Sequence, residues 1–305
     1  MAKKGLPSRR ACATMAVHHH LLELYPEFRR KQTQLEHATM RMMFAGAREV
    51  EWKTCTIPVV VHVVYKTPAE NITAAQVRSQ IRVLNRDFRA TNTDRAKVPP
   101  VWRGLVANCG VNFALAKRDP MGKATTGITR TKTAKAGFPA DDSVKFRSKG
   151  GADAWPTDKY LNIWVCSLKD GLLGYAQFPG GPSRTDGVVI LNVAFGTTGA
   201  ASAPFNLGRT ATHEVGHWLN LRHIWGDTED CSGTDFVVDT PNAAGPNFGK
   251  PAFPHVSCNN GPNGDMFMNY MDYVDDNAMF MFTSQQVIRI QAALNGPRRT
   301  LGVRR

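Results

Sequence analysis

The sequence predicts an α+β chain in which helices and strands mix along its length. Three observations predict it: a helix-forming basic stretch from Met15 to Met43, a nearly continuous β-branched run from Ile57 to Tyr65, and helical spacing of Val77, Ile81, Leu84 and Phe88 directly after it. In the first stretch Leu21, Leu24, Phe28, Leu35 and Met42 could line one apolar stripe. The β-branched run reads as a buried strand. The helix after it starts at Thr73 as N-cap with Gln76 three residues on, a capping-box pattern, and ends near Arg89. Val111–Ala116, Ile128–Thr131, Leu161–Cys166, Tyr175–Phe178 and Gly187–Leu191 are the remaining strand candidates. A helix is expected from about Gly208 to Asn220. A long irregular stretch rich in Gly, Pro, Asn and Asp then runs from Gly226 to Asp265, and such length in a domain points to function or to pinning by ligands or bridges. The last helix is capped by Thr283 with Gln286 and stops at Gly296-Pro297.

Composition narrows the function classes. The 305 residues are 42% hydrophobic and 21% charged, which is globular and excludes collagen, coiled coil and disorder. No run reaches the ~18–20 apolar residues of a membrane span. The net charge of +13 is uneven: His213 to Asn295 holds ten acidic residues against three basic ones, so an acidic region sits in a basic body. That pattern suits cations or basic ligands locally rather than nucleic acid, and the basic excess reads as solvated surface. Lys3, Lys4, Arg9 and Arg10 resemble a charged leader, but Ala11 to Val17 is too short and polar for a secretory apolar core, so no signal peptide is visible.

The chemistry concentrates in His213-Glu-Val-Gly-His-Trp-Leu-Asn-Leu-Arg-His223. On a helix His213 and His217 lie one turn apart on one face, within reach of a single ion, with Glu214 beside them to take a proton from water. His223 can join them if the helix stops near Asn220 and the chain turns back through a residue with positive φ, a conformation Asn tolerates next best to glycine. Three imidazoles with one open position describe a catalytic zinc site. Six cysteines allow bridges, and Cys55, Cys109 and Cys166 in strand-like surroundings read as small core residues. The His18-His19-His20 triple reads as an ordinary polar helix turn.

This stretch resembles the extended zinc motif of the metzincin metallopeptidases, with Asn220 where that motif has glycine, and Met268-Asn-Tyr-Met-Asp-Tyr273 resembles their methionine turn, with Met271 beneath the metal. Together with Asp239-Thr-Pro241 the pattern is similar to the pappalysin family, especially its ulilysin-like members, and to the cytophagalysins, over roughly residues 50 to 295. The resemblance implies a mixed sheet-and-helix upper subdomain to about 223 and a loop-rich lower subdomain, 224–305, with a C-terminal helix. It implies a zinc endopeptidase, secreted, acting on protein or peptide substrates, with Glu214 as base and Tyr273 as donor to the oxyanion. Asp276, in preference to Asp275, would line the pocket for Arg or Lys after the scissile bond. Tyr175 and Ala176 would lie on the edge strand above the cleft. Calcium is implied in the loop that holds Asp227, Asp230, Asp235 and Asp239, with Asp235, Asp239 and Thr240 as ligands. A Cys231–Cys258 bridge is implied as well, with two thiols the open alternative. Arg10-Ala-Cys-Ala-Thr14 resembles a cysteine switch: Cys12 would occupy the metal, residues 1–47 would be an inhibitory prosegment acting on its own chain, and the catalytic domain, 48–305, would begin at Arg48. The competing readings are a zinc-containing binding or adhesion module without catalysis, against which Glu214 argues, and a polyanion binder.

Overall fold

The computed structural model describes residues 7–45 and 54–304. The expected activation site at Arg48 lies outside them. The organising element is β1 (Cys55–Tyr65), eleven residues long and buried over most of its length because Val and Ile fill both of its faces, with His62 the polar residue in its fully buried stretch. Its two halves take different neighbours along one edge: Cys55–Val59 pairs with β2 (Val111–Leu115) and Val61–Tyr65 with β3 (Ile128–Lys132), both parallel. On the other edge β4 (Leu161–Cys166) is parallel, followed by β6 (Val188–Leu191) and then β5 (Gly174–Ala176), antiparallel and outermost. A two-residue β7 (Val303–Arg304) pairs antiparallel with the start of β1.

The period-two alternation builds two cores. Ile57, Val59, Val61 and Val63 face α3 (Ala74–Phe88) and α4 (Arg209–Trp218), meeting Val77, Leu84, Ala211 and Val215. The opposite face carries Val64, Trp164, Tyr175 and Val189, and what covers it includes the N-terminal helices α1 (Thr14–Leu24) and α2 (Pro26–Ala45), through Val17, Leu21 and Phe28. Each of these side chains contributes roughly 1.5–3 kcal/mol to holding the segment down. His62 is absorbed by hydrogen bonds to Thr129 and Asn162 at 2.8 and 2.9 Å and by stacking on Trp164.

Several expectations shift in detail. The Met15–Met43 stretch is two helices, broken at Tyr25 because Pro26 starts a new helix and cannot continue the old one. That break turns Leu24 outward, 55% exposed, so it leaves the expected apolar stripe. Thr73 does cap α3 through Gln76 N, but the Gln76 side chain is drawn away to Asn192, Phe195 and Ala200, so the reciprocal half of the box is missing. The capping box at Thr283 and Gln286 on α5 (Ser284–Asn295) is complete.

The lower half is mostly loop and turn around α5. Cys231 and Cys258 are joined in a disulfide, closing the irregular stretch on itself. Cys109 and Cys166 are buried in the cores, and the Cys55 thiol donates to Leu301 O. Among the described residues no helix is long and apolar enough to cross a membrane.

Candidate active site

α4 presents His213 and His217 from one face, one turn apart, and every residue of this helix is buried. It ends at Trp218. Two residues later Asn220 takes φ 76°, the left-handed turn the sequence required, and the chain reverses to bring His223 back. The three Nε2 atoms then converge: His217 lies 3.1 Å from His213 and 3.0 Å from His223.

Their outer nitrogens decide what fills that point. Nδ1 of His213 donates to Tyr270 O at 2.8 Å, Nδ1 of His217 to Leu221 O at 2.8 Å, and Nδ1 of His223 meets Asp227 Oδ1 at 2.5 Å. A carbonyl can only accept, so His213 and His217 carry their proton on Nδ1 and turn Nε2 lone pairs inward. Burial, then the neighbouring imidazoles, pushes both well below the usual histidine pKa, so neither gains a second proton. Converging lone pairs without protons repel each other unless a cation lies among them. The residues present therefore fit a metal ion, and with Cys12 they bring four ligand atoms within 4.8 Å of one another. Asp227, read from sequence among the loop carboxylates, is thereby committed to orienting His223. Trp225 stacks on that imidazole at 4.3 Å.

Beneath the cluster, Met271 is fully buried against Gly216, the residue before His217. A Cβ on Gly216 would meet the Met271 sulfur at 2.5 Å, so glycine is needed there for the methionine turn to approach the helix. Tyr273 stands edge-on to His223 with ring centroids 4.9 Å apart, and its phenol donates to Cys12 O at 3.3 Å.

Glu214 is fully buried beside the histidines, and burial raises its pKa to about 7 against the pull of hydrogen bonds from Cys12 and Thr14. Thr14, singled out in the sequence only as the end of the Arg10–Thr14 segment, has a role of its own here. Its hydroxyl donates to Glu214 Oε2 at 2.8 Å and accepts from Ala176 N at 2.8 Å. Cys12 Sγ lies 3.3 Å from the same carboxylate oxygen and belongs to the histidine cluster. Burial and then Glu214 raise the pKa of this thiol well above its ordinary value, and a cation at the imidazoles is what would oppose that.

β5 is the sheet edge, as expected, and residues 11–14 lie along it as a further, parallel strand: Leu173 N donates to Ala11 O and Ala13 N to Gly174 O. The Tyr175 side chain faces the second core, so its contribution to the cleft is main-chain only. Arg10 continues the segment into a pocket. Its guanidinium donates to Asp276 at 2.7 Å, to Thr210 at 3.0 Å and to Val274 O at 3.2 Å, and it packs over Phe205. Asp276 is wholly buried, whereas Asp275 is half-buried. In the lower loop Asp235 accepts from the Thr240 hydroxyl at 2.7 Å, and Asp239 accepts from Thr283 and Gln285 N, capping α5.

The comparisons with known proteins agree with this geometry. The peptidase M43 family model, described as pregnancy-associated plasma protein-A, matches residues 147–295. An extracellular metalloprotease of Pyricularia oryzae is 34% identical over 257 residues, covering 81% of this chain and 77% of that protein. One from Verticillium alfalfae is 36% identical, covering 72% and 68%. Among solved structures, mature mirolysin of Tannerella forsythia in complex with a cleaved peptide is 53% identical with a TM-score of 0.80, covering 82% of this chain and 96% of that one. A promirolysin mutant from the same organism is 47% identical with a TM-score of 0.87, covering 95% and 96%. With three histidines, a buried glutamate and a methionine turn on a metzincin frame, the chain belongs to the M43 pappalysin family and is a metalloendopeptidase.

Proposed function

We propose that the chain is the latent form of a secreted zinc endopeptidase that cuts before Arg or Lys, with residues 1 to about 47 as its prosegment. The observation that carries this reading is that residues 10–14 fill the catalytic groups one by one: Arg10 on Asp276, Cys12 at the imidazoles, Thr14 on Glu214 and on the edge strand. An arginine of the chain's own already satisfies the buried Asp276 carboxylate, which supports a basic residue as the natural occupant of that pocket. The promirolysin structure aligns over 95% of this chain and the mature one over 82%, a difference of the size of the segment through Ala45. Extracellular relatives support secretion.

His213, His217 and His223 would hold the zinc, with Cys12 as the fourth ligand in the latent chain. When bound, zinc supplies Lewis acidity that polarises the scissile carbonyl and acidifies the attacking water. Glu214 takes the proton of that water and passes it to the leaving amine, a transfer suited to a carboxylate whose pKa burial has brought to about 7. The Tyr273 phenol, already donating to a backbone carbonyl, donates to the oxyanion. The edge strand offers Gly174 O and Ala176 N to an extended substrate once residues 11–14 leave. Met271 supports the helix from below. Calcium in the lower loop, at Asp235, Asp239 and Thr240, is proposed from the resemblance and the acid-rich composition. A rise in melting temperature on adding calcium, lost in Asp235→Asn, tests it.

The test of the main reading is incubation of the full chain with a peptide series, with and without chelator, together with N-terminal sequencing of the products. Zinc-dependent cutting before basic residues, abolished in Glu214→Ala while zinc stays bound, is expected. Wild-type rates in Glu214→Ala would overturn the assignment of the base.

A further inference from the structure

A carboxylate of the N-terminal segment occupies a seat that the reaction above does not use. Glu36 on α2 reaches Arg289 on α5, whose two terminal nitrogens donate to its two oxygens at 2.8 and 2.7 Å. The same guanidinium is anchored from behind, since its Nε donates to Asn220 O at 3.1 Å, and this holds the fork facing Glu36. The Asn220 side-chain amide adds a contact at 3.4 Å.

Arg222 completes the cradle. Its guanidinium lies over Phe178 at 5.2 Å and Phe236 at 5.3 Å, and Arg289 lies over the same Phe236 ring at 5.5 Å. The Arg222 Nε is buried without a hydrogen-bond partner. Although burial pushes the Glu36 carboxyl up, Arg289 and then Arg222 hold it below the usual range. The other acids near the two guanidinia are engaged elsewhere: Asp227 with His223, and Asp235 with the Thr240 hydroxyl and Val237 N.

The cradle's place in the cleft follows from the path of the segment. It runs from Arg10 at Asp276, past Cys12 at the imidazoles, to Thr14 at Ala176. Beyond Ala176, Phe178 packs on His217 with centroids 5.6 Å apart, and that ring carries Arg222. The cradle thus lies at the end of the cleft opposite the Asp276 pocket.

We propose that Arg289, Arg222 and the Asn220 amide form a carboxylate subsite of the mature enzyme, taking an acidic side chain of the substrate ahead of the scissile bond, with Glu36 as its occupant in the latent chain. This rests on the reading of residues 1 to about 47 as a removable segment and of Asp276 as the pocket after the cut. Departure of Glu36 leaves the two terminal nitrogens of Arg289 without the carboxylate they donate to, beside a second buried guanidinium, and a planar fork matches a carboxylate with two parallel hydrogen bonds.

The experiment uses enzyme matured from the full chain, its N-terminus read by sequencing and mass. Peptides with a basic residue after the cut carry Glu or Gln at each position ahead of it in turn. At one position Glu is expected to raise kcat/KM on the order of tenfold over Gln, through KM, with the advantage shrinking in high salt. The Glu-to-Gln ratio should fall toward one in Arg222→Gln and return in part in Arg222→Lys. Arg289→Gln should act in the same direction, but Arg289 also holds the Asn220 turn, so Arg222 carries the test. Equal rates for Glu and Gln at every position, or a preference unchanged in Arg222→Gln, would overturn the subsite. An active enzyme that retains residues 7–45 would bring down the prosegment reading and the subsite with it. Cutting at residues other than basic ones overturns the Asp276 reading alone, and the Glu-to-Gln ratio still decides the subsite.

Discussion

Thr14→Val separates two ways of keeping the enzyme silent. The side chains are nearly isosteric, and Thr14 is fully buried, so the exchange removes the hydroxyl with little change in shape. Two bonds go with it: the one donated to Glu214 and the one accepted from Ala176 N, both 2.8 Å. A bond to a charged partner contributes about 1.5–3 kcal/mol and a neutral one about 1 kcal/mol, so docking of the segment should weaken by roughly 2.5–4 kcal/mol. At 1.4 kcal/mol per decade this shifts the docked-to-released ratio roughly 10²–10³-fold even with Cys12 in place. The assay is a progress curve: purified latent chain is added to a quenched fluorescent peptide with arginine after the cut, and the lag before steady cleavage is timed. Thr14→Val should shorten the lag toward that of Cys12→Ala, and Thr14→Ser, which keeps the hydroxyl, should stay near wild type. A wild-type lag in Thr14→Val would show that the thiol alone enforces latency and that the Thr14 bonds contribute only to local packing.

Three further outcomes follow from the same geometry. Gly216→Ala places a methyl against the buried Met271 sulfur, so it should cost roughly 1–3 kcal/mol and lower zinc affinity, with much of the loss recovered on adding Met271→Ala; a chelator competition on single and double variants measures it. Asn220→Gly should leave zinc affinity near wild type because glycine accepts φ 76°, whereas Asn220→Val should sharply lower it, read by the same titration. Docking of α1 should depend on pH through His18, whose pKa is lowered to about 3 by burial first and then by Arg222 and His19, against a small opposing pull from Asp227. A lowered histidine binds fewer protons docked than released, so docking is at full strength above about pH 6.5 and weakens as pH falls toward 3; at about pH 5 the loss is roughly 2 kcal/mol. Hydrogen exchange of α1 at about pH 5 and 7.5 should show that loss in the wild type and little of it in His18→Leu.

The sequence made legible what local rules control. The spacing of His213, His217 and His223 demanded a left-handed residue between them, and Asn220 supplies it. The β-branched run became β1 almost residue for residue, and the Thr283 box became the start of α5. Misjudged positions are those where a distant partner competes with a local one. Gln76 had a good reciprocal cap available, yet the backbone of the loop around residues 192–200 recruits its side chain. Asp227 looked like one oxygen donor among several, and only the fold sets it beside the His223 ring. Arg10 lies 266 residues from Asp276, and no spacing rule connects two such positions. The break at Pro26 was the exception: proline at a helix start is a local signal, and it marks the end of α1 plainly.

Thr14 is also within reach of a local rule, because residues 10–14 precede the helix-forming stretch that begins at Met15. Residues 10–14 enter the cleft extended against β5, and in an extended chain alternate side chains face the same way. Arg10, Cys12 and Thr14 therefore all face the catalytic groups, while Ala13 packs into the second core. The order Arg-Ala-Cys-Ala-Thr is a strand pattern of polar side chains on one face and alanines on the other, set immediately before a helix. A slip of one residue would put methyl groups against Asp276, the imidazoles and Glu214 together, leaving the buried Glu214 carboxylate without the Cys12 and Thr14 donors and Asp276 with only the backbone donors Leu207 N and Arg209 N. The main-chain pairing of Ala11 and Ala13 with Leu173 and Gly174 opposes that slip. On the proposed reading latency is a matter of register as much as of one thiol, so a hydroxyl two residues from the cysteine is expected to carry comparable weight.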